Sequence, residues 1–452
     1  MYQITFINHA CYLIETDQSI LLVDPWVEGH AFDKGWSLID KSTSNEQLIN
    51  YIQKKNKKFH IWYSHEHSDH FSVPFLKLIS KTKLKCKVFF QKTLDGRVAQ
   101  FIRKLDIEVI ESNRKIEIID NEAKIITFPY LDGDSYCLIL LNNYSILNIN
   151  DCVVSKPKEV IQIKNNTLKF TNNIDLLMTQ FGYANWIGNI NDYDYRLRSA
   201  EKKIERIKIQ DEIIKPKNIL PFASFIYFSH PDNFYMNDFQ NTPNKLTNSN
   251  LPEETKEKII ILKPWDKLEI PFLKNLNFQN LNYENVKHWT FLFENCKPDN
   301  IEDNSYTLDE INSVHIEYKR KLKNYFLFLP YLLEKIKFLP KLKIFINDLN
   351  VAYEFSYCKN TLKKLSEKEI PHIALNSSTI MFILKNDFGV NTTYVNAKFS
   401  SKSKNGDYIF YRHFSPQEYM KNGWGIKHPI ISSKKLLAKL INKTFKGNFI
   451  IN

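Results

Sequence analysis

The segment of the sequence that is richest in reactive side chains runs from His65 to His70, where three histidines and two acidic residues occur within six positions. The apolar run over residues 59–64 before it is typical of a β-strand, on which side chains two positions apart point the same way. His65 and His67 could therefore hold one metal ion. Asp69 and His70 fall where the chain turns into a predicted helix, so they could serve a second ion. Imidazole and carboxylate are ligands that zinc and iron prefer. The alternative is a solvated polar loop, which would readily explain a single histidine but not four ligand-type residues in this order.

Three further candidates lie where predicted strands end. Asp24 is held in an extended conformation by the proline that follows it. Asp151 follows the apolar strand predicted over residues 145–150, and His230 follows the one predicted over residues 218–228. Loops at strand ends commonly carry binding sites, although a plain turn is the alternative for Asp24 taken alone. His230 is the only histidine between positions 71 and 287, which makes it the sole candidate for a late imidazole ligand.

The first part of the chain alternates strand-like and helix-like segments, which predicts sheets covered by helices. The opening strands are predicted over residues 4–15 and 19–23, with a hairpin turn at 16–18. A strand-rich run over residues 115–150 comes after the alternating segments, and an exposed helix is predicted over 196–209. The fold class indicated by this order is α/β.

At 452 residues the chain exceeds a usual single core, so two domains are expected. We predict a catalytic domain over residues 1–272, a helical connector over 273–341 and a small α+β domain over 342–452. In the last of these the pattern predicts one helix, over 377–384, and strands over 342–347, 351–357, 372–375, 392–399 and 408–412.

Composition excludes several classes of protein. The hydrophobic share of 43% and the charged share of 25% are ordinary for a soluble globular chain. The net charge of +12 comes from scattered lysines and favours small anionic substrates, but no RNA-binding signature or arginine-rich block predicts a nucleic-acid partner. The apolar segment 325–333 is too short for a transmembrane helix. Six dispersed cysteines and the lack of a signal-peptide pattern predict a cytoplasmic protein.

The order of the metal-ligand motifs resembles that of the metallo-β-lactamase superfamily, in which an H-x-H-x-D-H segment precedes a strand-end aspartate and a strand-end histidine. That resemblance implies a four-layer αβ/βα sandwich. Residues 342–412 loosely resemble a sterol-carrier-like domain. More narrowly, residues 9–272 resemble the catalytic part of the CMP-N-acetylneuraminate hydroxylase family, and four motifs in order carry the likeness: Asp24-Pro25-Trp26, residues 64–70, Asp151-Cys152 and Ser229-His230-Pro231.

The resemblance also implies roles for these residues. Asp24 would orient a ligand histidine by a hydrogen bond, and Asp69 or Asp151 would position the nucleophile if the enzyme is a hydrolase. The implied ligands of two divalent metal ions, iron or zinc, are His65 and His67 for one ion, Asp69, His70 and His230 for the other, and Asp151 as the bridge between them.

The sequence departs from the superfamily pattern at one metal ligand. A further histidine is usual before the bridging aspartate, but no histidine lies between positions 71 and 229. The spacing to Asp151 puts Tyr130 at that position, with Asp132 and Asp134 nearby. The first metal site therefore uses one of these three residues, or it is weak and the enzyme holds a single metal ion.

A second departure leaves the reaction open. The hydroxylase family carries a Rieske iron–sulfur domain, and this sequence has no paired Cys and His ligands for such a cluster, so no intrinsic iron–sulfur cluster is expected. A hydroxylase would then receive electrons from a separate protein. Three functions fit these observations: a non-haem iron oxygenase acting on an acidic or nucleotide-linked sugar, a zinc hydrolase of a phosphodiester, lactone or amide, and a binding protein without catalysis.

Large aromatic side chains near the predicted site could bind the substrate. The same residue types are also common in the core of a sandwich, which is the alternative interpretation. The four candidates for stacking on a sugar or a base are Trp26, Trp36, Tyr183 and Trp186.

Overall fold

The computed structural model describes residues 2–93, 95–272 and 278–421, apart from the side chains of Asp132 and Lys421. The chain divides into two compact units, residues 1–300 and residues 301–452. Residues 273–277 of the predicted connector and residues 422–452 of the predicted C-terminal domain lie outside the described residues.

The first unit mixes strands and helices along its length. Its strands are β1 Tyr2–Asn8, β2 Cys11–Glu15, β3 Ser19–Val23, β4 Trp36–Leu38, β5 Lys58–Tyr63, β6 Cys86–Gln91, β7 Glu108–Ser112, β8 Ile116–Ile118, β9 Ala123–Pro129, β10 Ser135–Leu141, β11 Tyr144–Asn150, β12 Leu176–Gln180, β13 Asn218–Phe222, β14 Ile226–Phe228 and β15 Lys267–Ile270. Its helices are α1 Asn45–Lys55, α2 Val73–Ile79, α3 Arg97–Arg103, α4 Pro157–Thr167, α5 Tyr193–Ile214, α6 Pro243–Thr247, α7 Glu253–Glu257 and α8 Gln279–Glu294.

Two large sheets form the centre of this unit. One has seven strands in the order β15-β1-β2-β3-β5-β6-β7, and the other has six in the order β13-β12-β11-β10-β9-β8. Side chains of a strand point alternately to its two faces. In β2, Tyr12 and Ile14 accordingly pack in the core between the sheets, whereas Leu13 packs against the helices outside.

Helices cover the outer face of each sheet. Side chains of α1, α2 and α3 share a buried cluster with the outer face of the seven-stranded sheet. Side chains of α4 and α5, among them Val160, Ile163 and Ile214, share another with the outer face of the six-stranded sheet. The predicted four-layer αβ/βα sandwich is therefore confirmed for this unit.

The carboxyl ends of parallel strands present the predicted site residues. Strands β3, β5, β6 and β7 run parallel to one another, and so do β11, β12 and β13. Asp24 follows β3, residues 64–70 follow β5, and Asp151 follows β11. Asn150, at the end of β11, has a φ of 56°, a left-handed conformation that asparagine tolerates. It turns the chain out of the sheet just before Asp151.

Two predicted strands are each interrupted by a turn. The strand predicted over residues 4–15 is wrong at its middle, because His9 and Ala10 form a turn between β1 and β2 and His9 has a φ of 39°. The strand predicted over residues 218–228 is also two strands, since β13 belongs to the six-stranded sheet and β14 pairs with β4. An apolar run hides such turns, because its hydrophobic pattern continues through them.

The second unit contains a five-stranded sheet in the order β18-β17-β16-β19-β20. Its strands are β16 Leu342–Ile346, β17 Val351–Phe355, β18 Lys363–Lys364, β19 Ile373–Leu375 and β20 Ser400–Ser401. Its helices are α9 Leu308–Phe326, α10 Leu329–Lys335, α11 Ser377–Lys385, α12 Gly389–Asn396, α13 Gly406–His413 and α14 Ser415–Lys421. The α+β character is as predicted, and the sterol-carrier likeness stays a prediction.

Two strands predicted in this unit are wrong. Residues 392–399 fall mostly in α12, and residues 408–412 fall in α13. Threonine, tyrosine and valine favour strands in isolation, but strand preference depends strongly on packing context. Here Thr393 on α12 and Phe410 on α13 are fully buried, so tertiary packing overrides the local preference of these residues for strands.

The helices of the predicted connector pack within the two units. Trp289, on α8, is fully buried in the main core of the first unit, and its indole N–H donates to the carbonyl of Leu262 at 2.8 Å. Ile311 and Leu322, on α9, are buried in the second unit. The domain boundaries at 272 and 341 stay predictions.

In the described part of the chain, no helix combines the length and the hydropathy that crossing a membrane requires.

Candidate metal centre

The segment after β5 brings two imidazoles together. His65 Nε2 lies 2.8 Å from His67 Nδ1. The hydroxyl of Ser64 donates to Asp24 Oδ2 at 2.7 Å, and the Ser64 oxygen lies 2.9 Å from His65 Nδ1. Because the hydroxyl proton is directed to Asp24, the Nδ1–H of His65 donates to the Ser64 oxygen. Nε2 of His65 then carries the lone pair that a metal ion would take.

The ring of His70 is oriented in a similar way by a contact with Asp24. Its Nδ1 lies 3.0 Å from Asp24 Oδ2, so in the neutral ring that a metal ion would bind, Nδ1–H donates to Asp24 and the lone pair is on Nε2. That nitrogen lies 3.2 Å from Asp69 Oδ2 and 3.3 Å from Asp151 Oδ2. A lone pair and two carboxylate oxygens repel one another unless a positive charge lies among them.

Three overlapping groups of side chains each bring their ligand atoms within 4.8 Å of one another. His65 is shared by two of these groups, and His70 is shared by two. Asp151 thus lies with one histidine from each predicted metal site, where a bridging ligand is expected. The groups are His65, His67 and Asp134; His65, His70 and Asp151; and His9, Asp69 and His70.

Asp134 lies beside His65 and His67, and its role in place of the missing histidine stays a prediction. Its Oδ1 lies 4.0 Å from His65 Nε2. Asp134 follows a short 3₁₀ turn over Leu131–Gly133 and directly precedes β10. Tyr130, the other candidate, donates its hydroxyl hydrogen to the carbonyl of Val153 at 3.2 Å and is in none of the three groups. The side chain of Asp132 lies outside the described residues.

His9 is the site residue that sequence reasoning missed. Its Nε2 lies 3.3 Å from Asp69 Oδ2, both side chains are buried, and its ring is 5.7 Å from that of His70. The turn between β1 and β2 places it there, and the prediction of one continuous strand concealed that turn. A histidine followed by alanine at a strand end is a weak signal, so the sequence alone carried little to reveal it.

The charges of the site are strongly coupled. Burial alone would lower the pKa of His70, but the carboxylates of Asp69, Asp151 and Asp24 raise it well above its ordinary value. Burial alone would raise the pKa of Asp69, but His70 and His9 hold it well below. Burial raises the pKa of Asp24, an effect that His70 and Ser64 oppose. The negative charges thus favour a positive charge at this point.

The donor set fits a divalent transition metal. Within the described residues, buried Asp69 Oδ1 accepts no hydrogen bond, and buried His70 Nε2 forms none of good geometry although two carboxylate oxygens lie beside it. Buried polar atoms in native structures normally have one. Imidazole nitrogen and carboxylate oxygen are the donors that zinc and iron take in proteins. The unsatisfied atoms are therefore accounted for if a cation binds among them.

One protein-family model matches the larger part of the first unit. Residues 3–189 match the model described as the beta-lactamase superfamily domain. Residues 3–189 form a β-lactamase superfamily domain. This domain contains the strand ends that present Asp24, residues 64–70 and Asp151.

Relatives of the β-lactamase superfamily domain are similar over about half of the chain. The cytidine monophosphate-N-acetylneuraminic acid hydroxylase of Xenopus laevis is 25% identical over 253 residues, which cover 52% of this chain and 40% of that protein. The hydroxylase of Mus musculus is 26% identical over 265 residues, which cover 54% and 43%. The diiron β-hydroxylase CmlA of Streptomyces venezuelae is 15% identical over 49% of this chain and 44% of its own, with a TM-score of 0.35. The chain thus spans well under half the length of the two curated relatives.

His230 follows β14, beyond the residues that match the superfamily domain. Its Nδ1 accepts a hydrogen bond from the backbone N–H of Asp232 at 3.1 Å, and the nearby Asn233 side chain donates to the carbonyl of Gly35 at 2.9 Å. Among the described residues, the three groups of ligand atoms do not include His230. Its role as a metal ligand stays a prediction.

The four aromatic residues predicted to bind substrate are buried in the superfamily domain and its flanking loops. Their exposed fractions are 2% for Trp26, 1% for Trp36, 1% for Tyr183 and 6% for Trp186. Trp26 packs its edge against His9, and Trp36 packs between Phe32 and Phe228. These contacts are those of core residues that support the site, and stacking on a substrate stays a prediction.

Proposed function

We propose that this protein is a metal-dependent hydroxylase that uses a dinuclear non-haem iron centre and acts on an acidic or nucleotide-linked sugar. The observation that carries the proposal is the convergence of His65, His67 and Asp134 with His70 and Asp151 around shared ligand atoms. Relatives that are 25% and 26% identical are named as hydroxylases of a cytidine monophosphate-linked sugar acid. The substrate class is proposed on that similarity.

The side chains of the site would have distinct roles. His65, His67 and Asp134 would hold one ion, and His70 with Asp69 would hold the other. Asp151 would lie between them, since it is grouped with both His65 and His70. Bound iron would supply the redox chemistry that activates dioxygen. Asp24 would keep the Nδ1 protons of His70 and, through Ser64, of His65 directed away from the ions, so that both Nε2 atoms are available.

The overall reaction requires an electron source outside the residues of this site. Hydroxylation places one atom of dioxygen into a C–H bond and releases the other as water, which consumes two electrons and two protons. We propose that a separate redox protein supplies the electrons. The cytoplasm is the proposed location, a proposal supported by six thiols that are all unpaired.

Metal analysis of anaerobically purified protein tests the proposal. We expect iron to be bound, and oxygen uptake with cytidine monophosphate-N-acetylneuraminic acid and a chemical reductant to require iron. His65→Ala should abolish that uptake, whereas His30→Ala, which replaces a half-exposed histidine, should leave it unchanged. Zinc alone, with chelator-sensitive hydrolysis of a chromogenic phosphodiester and no oxygen uptake, would favour the hydrolase instead.

A further inference from the structure

Helix α5 carries a buried arginine, Arg206, whose side chain forms no hydrogen bond or close ion pair among the described residues. Arg206 is 6% exposed, its Nε has no hydrogen-bond partner, and its guanidinium forms no ion pair with a carboxylate among the described residues. A buried guanidinium normally has hydrogen-bonded or charged partners, because removing it from water is otherwise strongly unfavourable. Arg196, on the same helix, illustrates the ordinary case, since it donates to the carbonyls of Asn189 and Ile190.

Arg206 lies one helical turn after Lys203 on α5, and Gln180 links Lys203 to Asp151 of the candidate metal centre. The charged and titratable groups that act on Arg206 are Asp151, Glu159, Tyr130 and Cys152. Asp151 is the residue that we place between the two metal ions, and its side chain keeps 16% of its surface exposed. A molecule that reaches Asp151 from solvent would therefore come close to Lys203, which Gln180 links to Asp151, and Arg206 is one helical turn further along α5.

Lys203 is on the same face of α5, one helical turn before Arg206. Its Nζ lies 3.4 Å from Gln180 Oε1, and Gln180 donates its Nε2–H to Asp151 Oδ1 at 3.2 Å. Burial and the charge of Arg206 together lower the pKa of Lys203 well below its ordinary value. Two cationic side chains one helical turn apart repel each other, and a bound anion would relieve that repulsion.

We propose that Arg206 and Lys203 form an anion-binding subsite that holds a carboxylate or phosphate group of the substrate beside the metal centre. This inference rests on the proposed function, since the anion would belong to the molecule that reacts at the metal ions. Arg206 presents a planar fork of N–H donors that matches carboxylate and phosphate oxygens. Gln180 links Lys203 to Asp151 and fixes the lysine at the edge of the site.

Calorimetric titration of the metal-loaded full chain tests the subsite with two probes. N-acetylneuraminate carries a carboxylate, and cytidine monophosphate carries a phosphate, so the two arms distinguish the anion. We expect Arg206→Met to weaken binding of at least one probe by about tenfold or more, since a hydrogen bond to a charged group is lost. Lys203→Met should weaken the same probe. Lys202→Met, which removes an exposed charge from the same helix, is the matched control and should bind as wild type does.

Folding of the variants is separated from binding by a melting experiment. Because Arg206 is buried and forms no hydrogen bond or close ion pair with the described residues, Arg206→Met should leave the melting temperature unchanged or raise it, whereas a structural role would lower it. The subsite is overturned if the wild-type protein binds neither probe at millimolar concentration, or if Arg206→Met binds both as tightly as wild type. Metal content measured on the same samples tests the proposed function separately. If the protein binds no metal but Arg206→Met still weakens probe binding, the subsite is supported and only the proposal of a metal-dependent enzyme is refuted.

Discussion

Nδ1 of His70 lies 3.0 Å from Oδ2 of Asp24, and both side chains are fully shielded from solvent. The same carboxylate accepts hydrogen bonds from the backbone N–H and the hydroxyl of Ser64. One residue at the end of β3 therefore fixes the orientation of the histidines on both sides of the site. Asp24 therefore supports His70 directly and His65 through Ser64 in the candidate metal centre.

Asp24→Asn should weaken metal binding without removing a ligand. The amide retains the shape of the carboxylate but loses its charge and its second acceptor, so His70 and Ser64 lose their orientation. Loss of such a supporting hydrogen bond typically weakens metal affinity about 10- to 100-fold. Competition with a chromogenic chelator measures the affinity, and Asp17→Asn, at an exposed position, is the control. Equal affinities of Asp24→Asn and wild type would contradict the assigned role.

The metal content of two variants tests whether His9 and His230 each contribute to metal binding. His9 Nε2 contacts Asp69 Oδ2 at 3.3 Å, so His9→Ala should release Asp69 and lower the amount of bound metal. The sequence pattern predicts the same effect for His230→Ala. Elemental analysis of both variants after identical loading decides between them. Full metal content in His9→Ala with a loss in His230→Ala would contradict the structural assignment and support the sequence pattern.

The local sequence predicted those parts of the site that come from strand ends with a regular pattern. His65, His67 and His70 are marked by spacing within one segment, and Asp151 by the apolar strand before it. His9 was missed because its turn lies within an apolar run, where periodicity does not reveal a break. Arg206 was missed because buried and exposed basic residues look alike in a charge-rich helix. Only the packing of α5 shows which of them are buried.

The fold was likewise predicted where hydrophobic periodicity determines it and mispredicted where tertiary packing does. The alternation of strands and helices in the first unit follows from hydrophobic periodicity, and the layers were predicted correctly. In the second unit, residues 392–399 contain Thr393 and Tyr394, which favour strands locally, yet the segment forms α12 because burial against its neighbours decides. A pattern of single residues does not contain that information.

Trp289→Ala should destabilise the first unit strongly. The indole is fully buried, its ring lies 4.3 Å from that of Phe225, and its N–H donates to Leu262. Removing a buried tryptophan commonly lowers the free energy of unfolding by about 3–5 kcal/mol. Urea unfolding measures the loss, and Phe291→Ala, on the exposed face of the same helix, should change stability by no more than about 0.5 kcal/mol. Similar small effects of both substitutions would show that α8 is not part of this core.

Asp299→Asn should lower stability in a manner that depends on pH. Burial alone would raise the pKa of Asp299, but hydrogen bonds from Ser37, Lys41 and Tyr227 and the charge of Lys41 lower it to about 2. Because this pKa is below that of the unfolded chain, the carboxylate stabilises the fold above about pH 4, and that contribution disappears as the pH falls toward 2. For a partly exposed group we expect a loss of about 1 kcal/mol at pH 7. Urea unfolding at pH 7 and pH 3 should therefore give a smaller difference between Asp299→Asn and wild type at the lower pH. The exposed control Glu212→Gln should show no such narrowing, and a difference for Asp299→Asn that is independent of pH would contradict the electrostatic explanation.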